Sequence, residues 1–353
     1  MNIKIIGGGP IGCYSAALLS KNHDVTIYEE DKEVGKPVRC TGILSNTINE
    51  ITPLKKTFIA NKIYSTRIFA PNNKFITINF KKPNIVIKRD KFDQHFKDKA
   101  EENGAKIIYN HRYTEKNNIK DLNNKRTKKL IFDKLIGADG PVSKVSKTHN
   151  LGVREYLQGV QAIIKKKNDN TVDFYPHIGV YAWAVPESEE YLRVGVAGRT
   201  NTIKTFKEFL KKYNGEIIKW QSGLIPIHNP KNKTTNKNVY LVGDAAAQNK
   251  NTTGGGLIPG LMAAEELAKA INQNKEYEKL WRKRIGKQLW THYYIRKTIN
   301  KFKKEDWNKL IEITNKESTK KILATESRDE PIKLVTKAIM TNPSILIFLK
   351  KLF

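Results

Sequence analysis

Residues 3–12, IKIIGGGPIG, decide the fold, because in them an apolar strand runs into a glycine turn. The turn has the spacing GxGxxG at Gly7, Gly9 and Gly12, and an alanine-rich helix is predicted after it, from Ile11 to Lys21. The first glycine of such a turn permits the tight bend, the second lets the backbone approach a pyrophosphate, and the third allows close helix packing. Since the helix N-terminus also carries partial positive charge, the stretch predicts a Rossmann-like βαβ unit that binds a dinucleotide.

The second strand of this unit, Asp24 to Tyr28, ends in an acidic residue. Glu29 lies 17 residues after Gly12, where a carboxylate accepts hydrogen bonds from the hydroxyls of an adenosine ribose. FAD and NAD both contain this ribose, so the βαβ unit alone leaves both cofactors open.

The composition indicates a folded, strongly basic chain. Of 353 residues 39% are hydrophobic, and 64 Lys and Arg stand against 35 Asp and Glu, a net charge of +29. Nucleic acid, an anionic membrane or an acidic electron carrier would each suit this excess. Because the lysines are dispersed and no nucleic-acid-binding motif accompanies them, we expect no nucleic-acid partner and attribute most of the charge to compositional bias.

Cysteine and histidine usage gives no sign of a disulfide framework or a metal site. Cys13 and Cys40 lie in no CxxC pattern, and the seven histidines show no HxxxH or HExxH spacing, so we expect no metal. The N-terminal pattern predicts no secretory signal, and the longest apolar run, Ile345 to Leu349, is far shorter than the roughly 20 residues that cross a bilayer. We therefore expect a cytoplasmic protein.

Further along the chain, predicted strands concentrate in two stretches. They begin at Ile63 and end before Pro83, and they return between residues 155 and 200. The Lys/Asn-rich tract 114–128 is predicted to be a solvated hairpin. Other predicted elements are a helix through Phe92, Phe96 and Ala100, strands at 106–109, 134–136 and 238–242, a helix at 202–213, and helices beyond Gly260.

Two segments place an aspartate at a strand end beside small residues. They are IGADG at 136–140, followed by Ser143, and LVGDAA at 241–246, followed by the glycines 254–256. A third segment, VIKRD at 86–90, carries Arg89. One aspartate by itself is more often a cap or turn residue. In this order after the glycine turn, however, the segments resemble those of the hydroxylase-like flavoproteins, and that resemblance selects FAD.

This resemblance implies roles for individual residues. In that superfamily the second aspartate, here Asp244, contacts the ribityl chain, and the glycine cluster lets the following helix direct its N-terminus at the flavin. The FAD-binding residues expected in this chain are Gly7, Gly9, Gly12, Glu29, Cys40, Thr41, Arg89, Asp139, Asp244, Gly255, Gly256 and Leu257.

Two further segments resemble the archaeal geranylgeranyl reductases within that superfamily. GKPVRCTG at 35–42 looks like their cysteine loop near the flavin, and YAWAVP at 181–186 looks like their YxWxFP sequence in the substrate sheet. The chain departs from the family pattern at Thr41, in a usually glycine-rich loop, at Val185, where phenylalanine is usual, and at GVA 195–197, where a GxG pair is usual. The flavin site is therefore predicted more closely than the lipid pocket.

The geranylgeranyl reductase resemblance implies that Cys40 is a catalytic residue and that Tyr181, Trp183 and Pro186 bind substrate. Each also has an ordinary structural interpretation. A free cysteine is commonly a small buried apolar residue, which is how we interpret Cys13. Tyr181 and Trp183 alternate along a strand, so they share a face either as core aromatics or as the wall of a prenyl-chain tunnel.

The implied fold is α/β, with a Rossmann-like FAD-binding lobe, an inserted antiparallel β-sheet substrate lobe and a C-terminal helical region. The predicted boundaries are 1–62, 84–150 and 232–275 for a discontinuous FAD-binding domain, 63–83 and 151–231 for the substrate-binding domain, and 276–353 for the helical region.

The implied activity is FAD-dependent saturation of C=C bonds in the geranylgeranyl chains of archaeal-type membrane lipids, by hydride transfer from reduced flavin. Expected partners are the geranylgeranylated lipid and an electron donor, either NADPH or a ferredoxin-like protein. The amphipathic segment Pro331 to Phe353 suits core packing or an oligomer contact nearly as well as a membrane surface, but a lipid substrate leads us to expect peripheral contact with the cytoplasmic membrane face. The alternatives are a flavin-dependent monooxygenase of the same fold and a non-catalytic or nucleic-acid-associated basic flavoprotein.

Overall fold

The computed structural model describes residues 1–152 and 154–351. The chain divides into two compact units, each assembled from three stretches of sequence. The first unit comprises Met1–Val38, Arg89–Tyr156 and Pro226–Leu289, and the second comprises Arg39–Lys88, Leu157–Ile225 and Trp290–Phe353. Leu352 and Phe353, which belong to the predicted amphipathic segment, lie outside the described residues. The three-domain boundaries stay a prediction.

Both units contain β-strands. Within the described residues they are β1 (Asn2–Ile6), β2 (Asp24–Tyr28), β3 (Ile43–Leu44), β4 (Ile59–Phe69), β5 (Phe75–Ile87), β6 (Lys106–Ile108), β7 (His111–Thr114), β8 (Asn118–Asp121), β9 (Thr127–Lys129), β10 (Lys134–Gly137), β11 (Tyr156–Lys165), β12 (Thr171–Tyr175), β13 (Tyr181–Pro186), β14 (Tyr191–Gly198), β15 (Glu216–Pro226), β16 (Thr235–Asn236) and β17 (Val239–Leu241).

Helices connect the strands and dominate the last quarter of the chain. Within the described residues the α-helices are α1 (Pro10–Leu19), α2 (Ile48–Ile51), α3 (Arg89–Glu102), α4 (Lys144–Thr148), α5 (Thr202–Leu210), α6 (Leu257–Asn272), α7 (Tyr277–Trp281), α8 (Lys287–Ile299), α9 (Lys304–Thr314), α10 (Glu317–Thr325) and α11 (Pro331–Thr341). Short 3-10 turns include Gly243–Ala246 and Pro343–Lys351. None of the described helices combines the length and apolar character that spanning a membrane requires.

The first unit is built on a six-stranded sheet in the order β16-β17-β10-β1-β2-β6. β1 pairs in parallel with both β2 and β10. Strands of a parallel sheet are covered on both faces, and accordingly Ile3 and Ile5 of β1 are completely buried. α1 follows β1 directly and packs against both α3 and α6. This β1–α1–β2 arrangement confirms the Rossmann-like prediction.

The second unit is built on an eight-stranded sheet in the order β15-β11-β14-β13-β12-β4-β5-β3. The pairs β11–β14, β13–β14, β12–β13 and β4–β5 are antiparallel, whereas β12 and β4 are parallel. α5 packs on this sheet, where Phe206 and Phe209 join Val194 and Val196 in one apolar cluster. The predicted β-sheet lobe is therefore present.

Two strands of the second unit differ from the sequence prediction. The prediction that the strand ends before Pro83 is wrong: β5 continues to Ile87, and a register shift between Ile63 and Ser65 of its partner β4 accommodates the proline. β15 is not predicted at all, because its first five residues are exposed on both faces and show no alternation. The tract 114–128 does form the expected hairpin, with β8 and β9 paired antiparallel.

Candidate functional site

The three glycines of the turn after β1 have different surroundings. Gly7 has a φ of +100°, and a Cβ there would lie 2.4 Å from the carbonyl oxygen of Ala138. A Cβ on Gly12 would lie 2.1 Å from the carbonyl oxygen of Gly7. At Gly9, by contrast, a Cβ would meet no described atom within 4 Å. Protein packing thus explains why the first and third positions are glycine. The second glycine borders open space, where a pyrophosphate can approach the protein backbone.

Glu29 closes β2 beneath this turn. Its buried carboxylate accepts hydrogen bonds from the backbone N–H of Gly8 at 2.5 Å and of Asp31 at 2.8 Å. Burial raises the pKa of Glu29, and these two hydrogen bonds oppose the rise. The carboxylate predicted to bind ribose therefore also fixes the glycine turn.

Asp139 follows β10 and caps α4. Its carboxylate accepts hydrogen bonds from Ser143 Oγ at 2.6 Å and from the backbone N–H of Lys144 at 2.7 Å and Val145 at 3.1 Å. Ser143 in turn accepts a hydrogen bond from the N–H of Ser146 at 2.9 Å. Both oxygens of Asp139 are therefore occupied by the start of a helix.

Asp244 follows β17 in the corresponding place but has no such partners. Its half-buried carboxylate accepts no hydrogen bond from any described residue. Burial raises the pKa of Asp244 to about 6, although the Arg89 guanidinium acts in the opposite direction. A carboxylate taken out of water without a donor is available to a ligand that brings one.

Arg89 is held at the start of α3 by a bidentate ion pair. Its Nε and Nη2 donate to Asp93 Oδ1 and Oδ2 at 2.9 and 2.8 Å. Asp93 is 4% exposed, and its Cβ lies within 3.2 Å of the position a Cβ would take on Gly35. The close approach of the Gly35 loop therefore buries the pair and restricts the guanidinium.

The glycines 254–256 surround the start of α6. A Cβ on Gly256 would lie 2.7 Å from Asp244 Oδ1, and a Cβ on Gly255 would lie 2.9 Å from Lys250 Cε. One turn later, a Cβ on Gly260 would lie 2.9 Å from Ile11 in the first turn of α1. These contacts bring the N-termini of α1 and α6 close together, and neither helix has a side-chain cap among the described residues.

Cys40 and Thr41 of the cysteine loop lie in the second unit, where the buried side chain of Arg193 holds the backbone of Cys40. Cys40 is half-buried, and its carbonyl oxygen accepts a hydrogen bond from Arg193 Nη1 at 2.7 Å. Arg193 also donates to Gln221 Oε1 at 2.8 Å and pairs with Glu187. The sequence gives no sign of this support, because the participating residues lie on strands far apart in the chain.

Thr41 extends the same network. Its Oγ1 donates to Gln161 Oε1 at 2.9 Å, and Gln161 Nε2 donates to Gln221 Oε1 at 2.9 Å. The threonine that departs from the glycine-rich family loop is therefore tied to the substrate sheet by its own side chain. The predicted contacts of Cys40 and Thr41 with a flavin stay predictions.

Tyr181 and Trp183 lie side by side on β13, with ring centroids 5.9 Å apart. The indole covers Gly195 of β14, where a Cβ would lie 2.4 Å from Trp183 Cζ2. Burial raises the pKa of Tyr181, whose ring faces the Arg296 guanidinium at 5.4 Å. Neither the Tyr181 hydroxyl nor Trp183 Nε1 has a hydrogen-bond partner among the described residues. Pro186 ends the strand, and its carbonyl accepts a hydrogen bond from Asn61 at 3.1 Å.

The second unit also contains a crevice of about 330 Å³. Its walls are mainly polar and charged and include the ion pairs of Arg67 with Asp169 and Asp173, so it does not suit an isoprenoid chain. The residues that line it are Arg67, Lys166, Lys167, Asn168, Asp169, Thr171, Asp173, Tyr175, Leu192, Lys212 and Tyr213. Within the described part of the chain, no group of three or more His, Cys, Asp or Glu side chains is arranged to hold a metal ion.

Comparisons with known proteins agree with this geometry. Residues 5–41 match the family model of the NAD(P)-binding Rossmann-like domain. The solved structure of a geranylgeranyl bacteriochlorophyll reductase-like protein from Thermoplasma acidophilum superposes with a TM-score of 0.83 over 100% of this chain and 99% of that one, at 23% identity. A flavin-dependent brominase superposes with a TM-score of 0.69 over 99% of both chains, at 16% identity. At these identities the two structures show the fold alone.

A sequence relative shows the family. The digeranylgeranylglycerophospholipid reductase 3 of Methanosphaera stadtmanae is 30% identical to this chain over 394 aligned positions. The alignment covers 95% of this chain and 98% of the relative, and so includes both units. The chain belongs to the digeranylgeranylglycerophospholipid reductase family.

Proposed function

We propose that the protein is an FAD-dependent reductase that saturates carbon–carbon double bonds in the geranylgeranyl chains of isoprenoid glycerophospholipids. The observation that carries this proposal is the full-length relationship to a protein named for that activity. The same fold occurs in a flavin-dependent brominase, so the fold by itself does not choose between alkene reduction and oxygen-dependent flavin chemistry.

The first unit fits FAD on three observations. Gly9 borders open space, the Asp244 carboxylate has no donor among the described residues, and α1 and α6 begin close together without side-chain caps. In the proposed complex the N–H groups at the start of α1 bind the pyrophosphate, and those of Gly256 and Leu257 face the flavin. Asp244 would accept hydrogen bonds from the hydroxyls of the ribityl chain, and Arg89 would add positive charge from a fixed position.

When bound and reduced, FAD supplies the hydride for the reaction. Saturation would break the π bond of the alkene by adding this hydride to one carbon and a proton to the other, so the lipid would gain the two electrons of the hydride. The residues of this chain orient the alkene and keep water away. We assign the wall of the prenyl-chain site to Tyr181 and Trp183, with Pro186 at its end, and the candidate catalytic position to Cys40.

The reaction also requires an electron donor and access to the membrane lipid. NADPH or an acidic ferredoxin-like protein reduces the flavin, and the net charge of +29 supports docking of an acidic carrier. Because a digeranylgeranyl lipid resides in a bilayer, the protein makes peripheral contact with the membrane that holds its substrate.

Lipid analysis of an expressing host tests this function. The host must produce unsaturated digeranylgeranylglycerophospholipid, and its lipids are compared by mass spectrometry with and without the protein. We expect masses that rise in steps of two hydrogens. A mass gain equal to one oxygen atom would instead identify a monooxygenase, and an unchanged lipid profile despite a flavin-loaded protein would contradict the reductase proposal.

A further inference from the structure

β15 forms one edge of the eight-stranded sheet of the second unit, and its first half is unusually apolar for an exposed edge. Ile217, Ile218 and Trp220 are 40%, 50% and 48% exposed. Because side chains alternate along a strand, these residues occupy both faces of the edge. An exposed apolar edge strand invites association, so a protein that keeps one normally covers it.

α5 continues this apolar surface. The rings of Trp220 and of the buried Phe206 of α5 pack nearly perpendicular to each other with centroids 5.2 Å apart, which joins the strand to the helix. One turn before Phe206, Ile203 is 51% exposed. We define the α5–β15 surface as Ile203, Ile217, Ile218 and Trp220 together with four neighbouring exposed lysines, which are Lys204, Lys207, Lys211 and Lys219.

The lysines of the α5–β15 surface carry unneutralised charge. None of the four forms an ion pair with a described residue, and the nearby acids Glu208 and Glu216 pair with none of them. The C-terminal segment, which the sequence favours as the amphipathic element, differs in this respect. There Lys333 and Lys337 pair with Glu326, and Lys351 pairs with Asp306. The positive charge available to an outside partner is therefore greater on the α5–β15 surface.

We propose that the α5–β15 surface docks the protein on an anionic lipid bilayer. Tryptophan and isoleucine side chains suit the boundary between headgroups and acyl chains, and the surrounding lysines reach the anionic headgroups. The choice of a bilayer as partner rests on the proposed function, since that function requires access to a membrane lipid. A second copy of the chain, paired edge to edge through β15, is the competing occupant.

Binding of the flavin-loaded protein to vesicles tests this surface. The vesicles contain phosphatidylglycerol mixed with phosphatidylcholine, and pure phosphatidylcholine vesicles are the comparison. Each lysine near an anionic surface contributes roughly a fivefold factor in affinity, so replacing all four by glutamine should weaken binding by up to about several hundredfold. The matched control replaces four exposed lysines elsewhere in the second unit, Lys55, Lys56, Lys81 and Lys82.

Two tryptophan variants measure the apolar contribution to vesicle binding separately from the contribution of charge. Trp220→Ala should weaken vesicle binding about tenfold, because it removes a large apolar side chain from the contact. Trp290→Ala should leave it unchanged, although Trp290 is also half exposed, at 50%, in the second unit. Flavin content and melting temperature establish that each variant is folded.

Three outcomes would overturn the proposal. The first is an equal loss of vesicle binding in the two lysine variants. The second is wild-type vesicle binding by Trp220→Ala. The third is a wild-type dimer in light scattering that dissociates in Trp220→Ala while vesicle binding stays unchanged. Turnover of detergent-dispersed lipid reports on the proposed function separately, because that assay needs no bilayer.

Discussion

Replacing Asp244 by asparagine should have opposite effects on the flavin-free and the flavin-loaded protein. In the free protein, burial raises the pKa of Asp244 from 3.8 to about 6. A folded-state pKa above the unfolded value means that stability is lost as pH rises through that range, and a rise of this size lowers the free energy of unfolding at pH 7 by roughly 3 kcal/mol. Asp244→Asn removes this penalty, so the flavin-free variant should be more stable than wild type at pH 7 by up to about 3 kcal/mol.

The flavin-loaded protein should respond in the other direction. Asp244→Asn would remove the ionised acceptor that we propose for the ribityl hydroxyls, and a hydrogen bond to a charged group contributes about 1.5–3 kcal/mol. The Kd for FAD should therefore rise between about tenfold and a hundredfold. Fluorescence titration with FAD measures the affinity, and urea unfolding of the flavin-free protein at pH 4 and pH 7 measures the stability. The stability difference should disappear at pH 4, where the wild-type carboxyl is protonated.

Asp139→Asn is the matched control. Its amide group would face donors at the start of α4, which should lower stability by about 1–3 kcal/mol while raising the Kd for FAD less than Asp244→Asn does. The reasoning would be refuted if the two variants lost the same FAD affinity, or if Asp244→Asn destabilised the flavin-free protein at pH 7.

Three further predictions concern single residues. Gly9→Ala should fold with wild-type stability but bind FAD more weakly, whereas Gly12→Ala should lower the melting temperature; equal melting temperatures would contradict the packing argument. Gly195→Ala should displace the Trp183 indole and, like Trp183→Ala, slow lipid-dependent flavin reoxidation while FAD content is retained; a parallel loss of FAD and stability would assign the indole to the core. Cys40→Ala should retain FAD and slow the same reaction, and an unchanged rate would return Cys40 to its ordinary structural interpretation.

The glycine turn and the helix that follows it are predictable because local rules determine them. GxGxxG between an apolar strand and an alanine-rich helix specifies the start of α1, and the structure places that helix at Pro10–Leu19. The alternation of Tyr181 and Trp183 similarly predicts that they share a face, and their rings are in contact. These features depend on neighbours in sequence.

Long-range contacts account for what the sequence does not show. Asp139 and Asp244 have similar sequence surroundings, and only the fold shows that the first caps a helix while the second lacks a donor among the described residues. Arg193 gives no sequence signal as the support for Cys40, because 153 residues separate the two. β15 is not predicted because its first five residues are all exposed, and no buried face requires apolar and polar residues to alternate there.

The central claim, that reduced flavin in this protein saturates an isoprenoid lipid, is tested most directly by an anaerobic single turnover. The purified protein is reduced, excess reductant is removed, and digeranylgeranylglycerophospholipid or its fully saturated counterpart is added in detergent. We predict that the flavin is reoxidised only with the unsaturated lipid and that each oxidised flavin corresponds to one lipid double bond lost, with a mass gain of two hydrogens. A flavin that stays reduced with both lipids until oxygen is admitted would contradict the account.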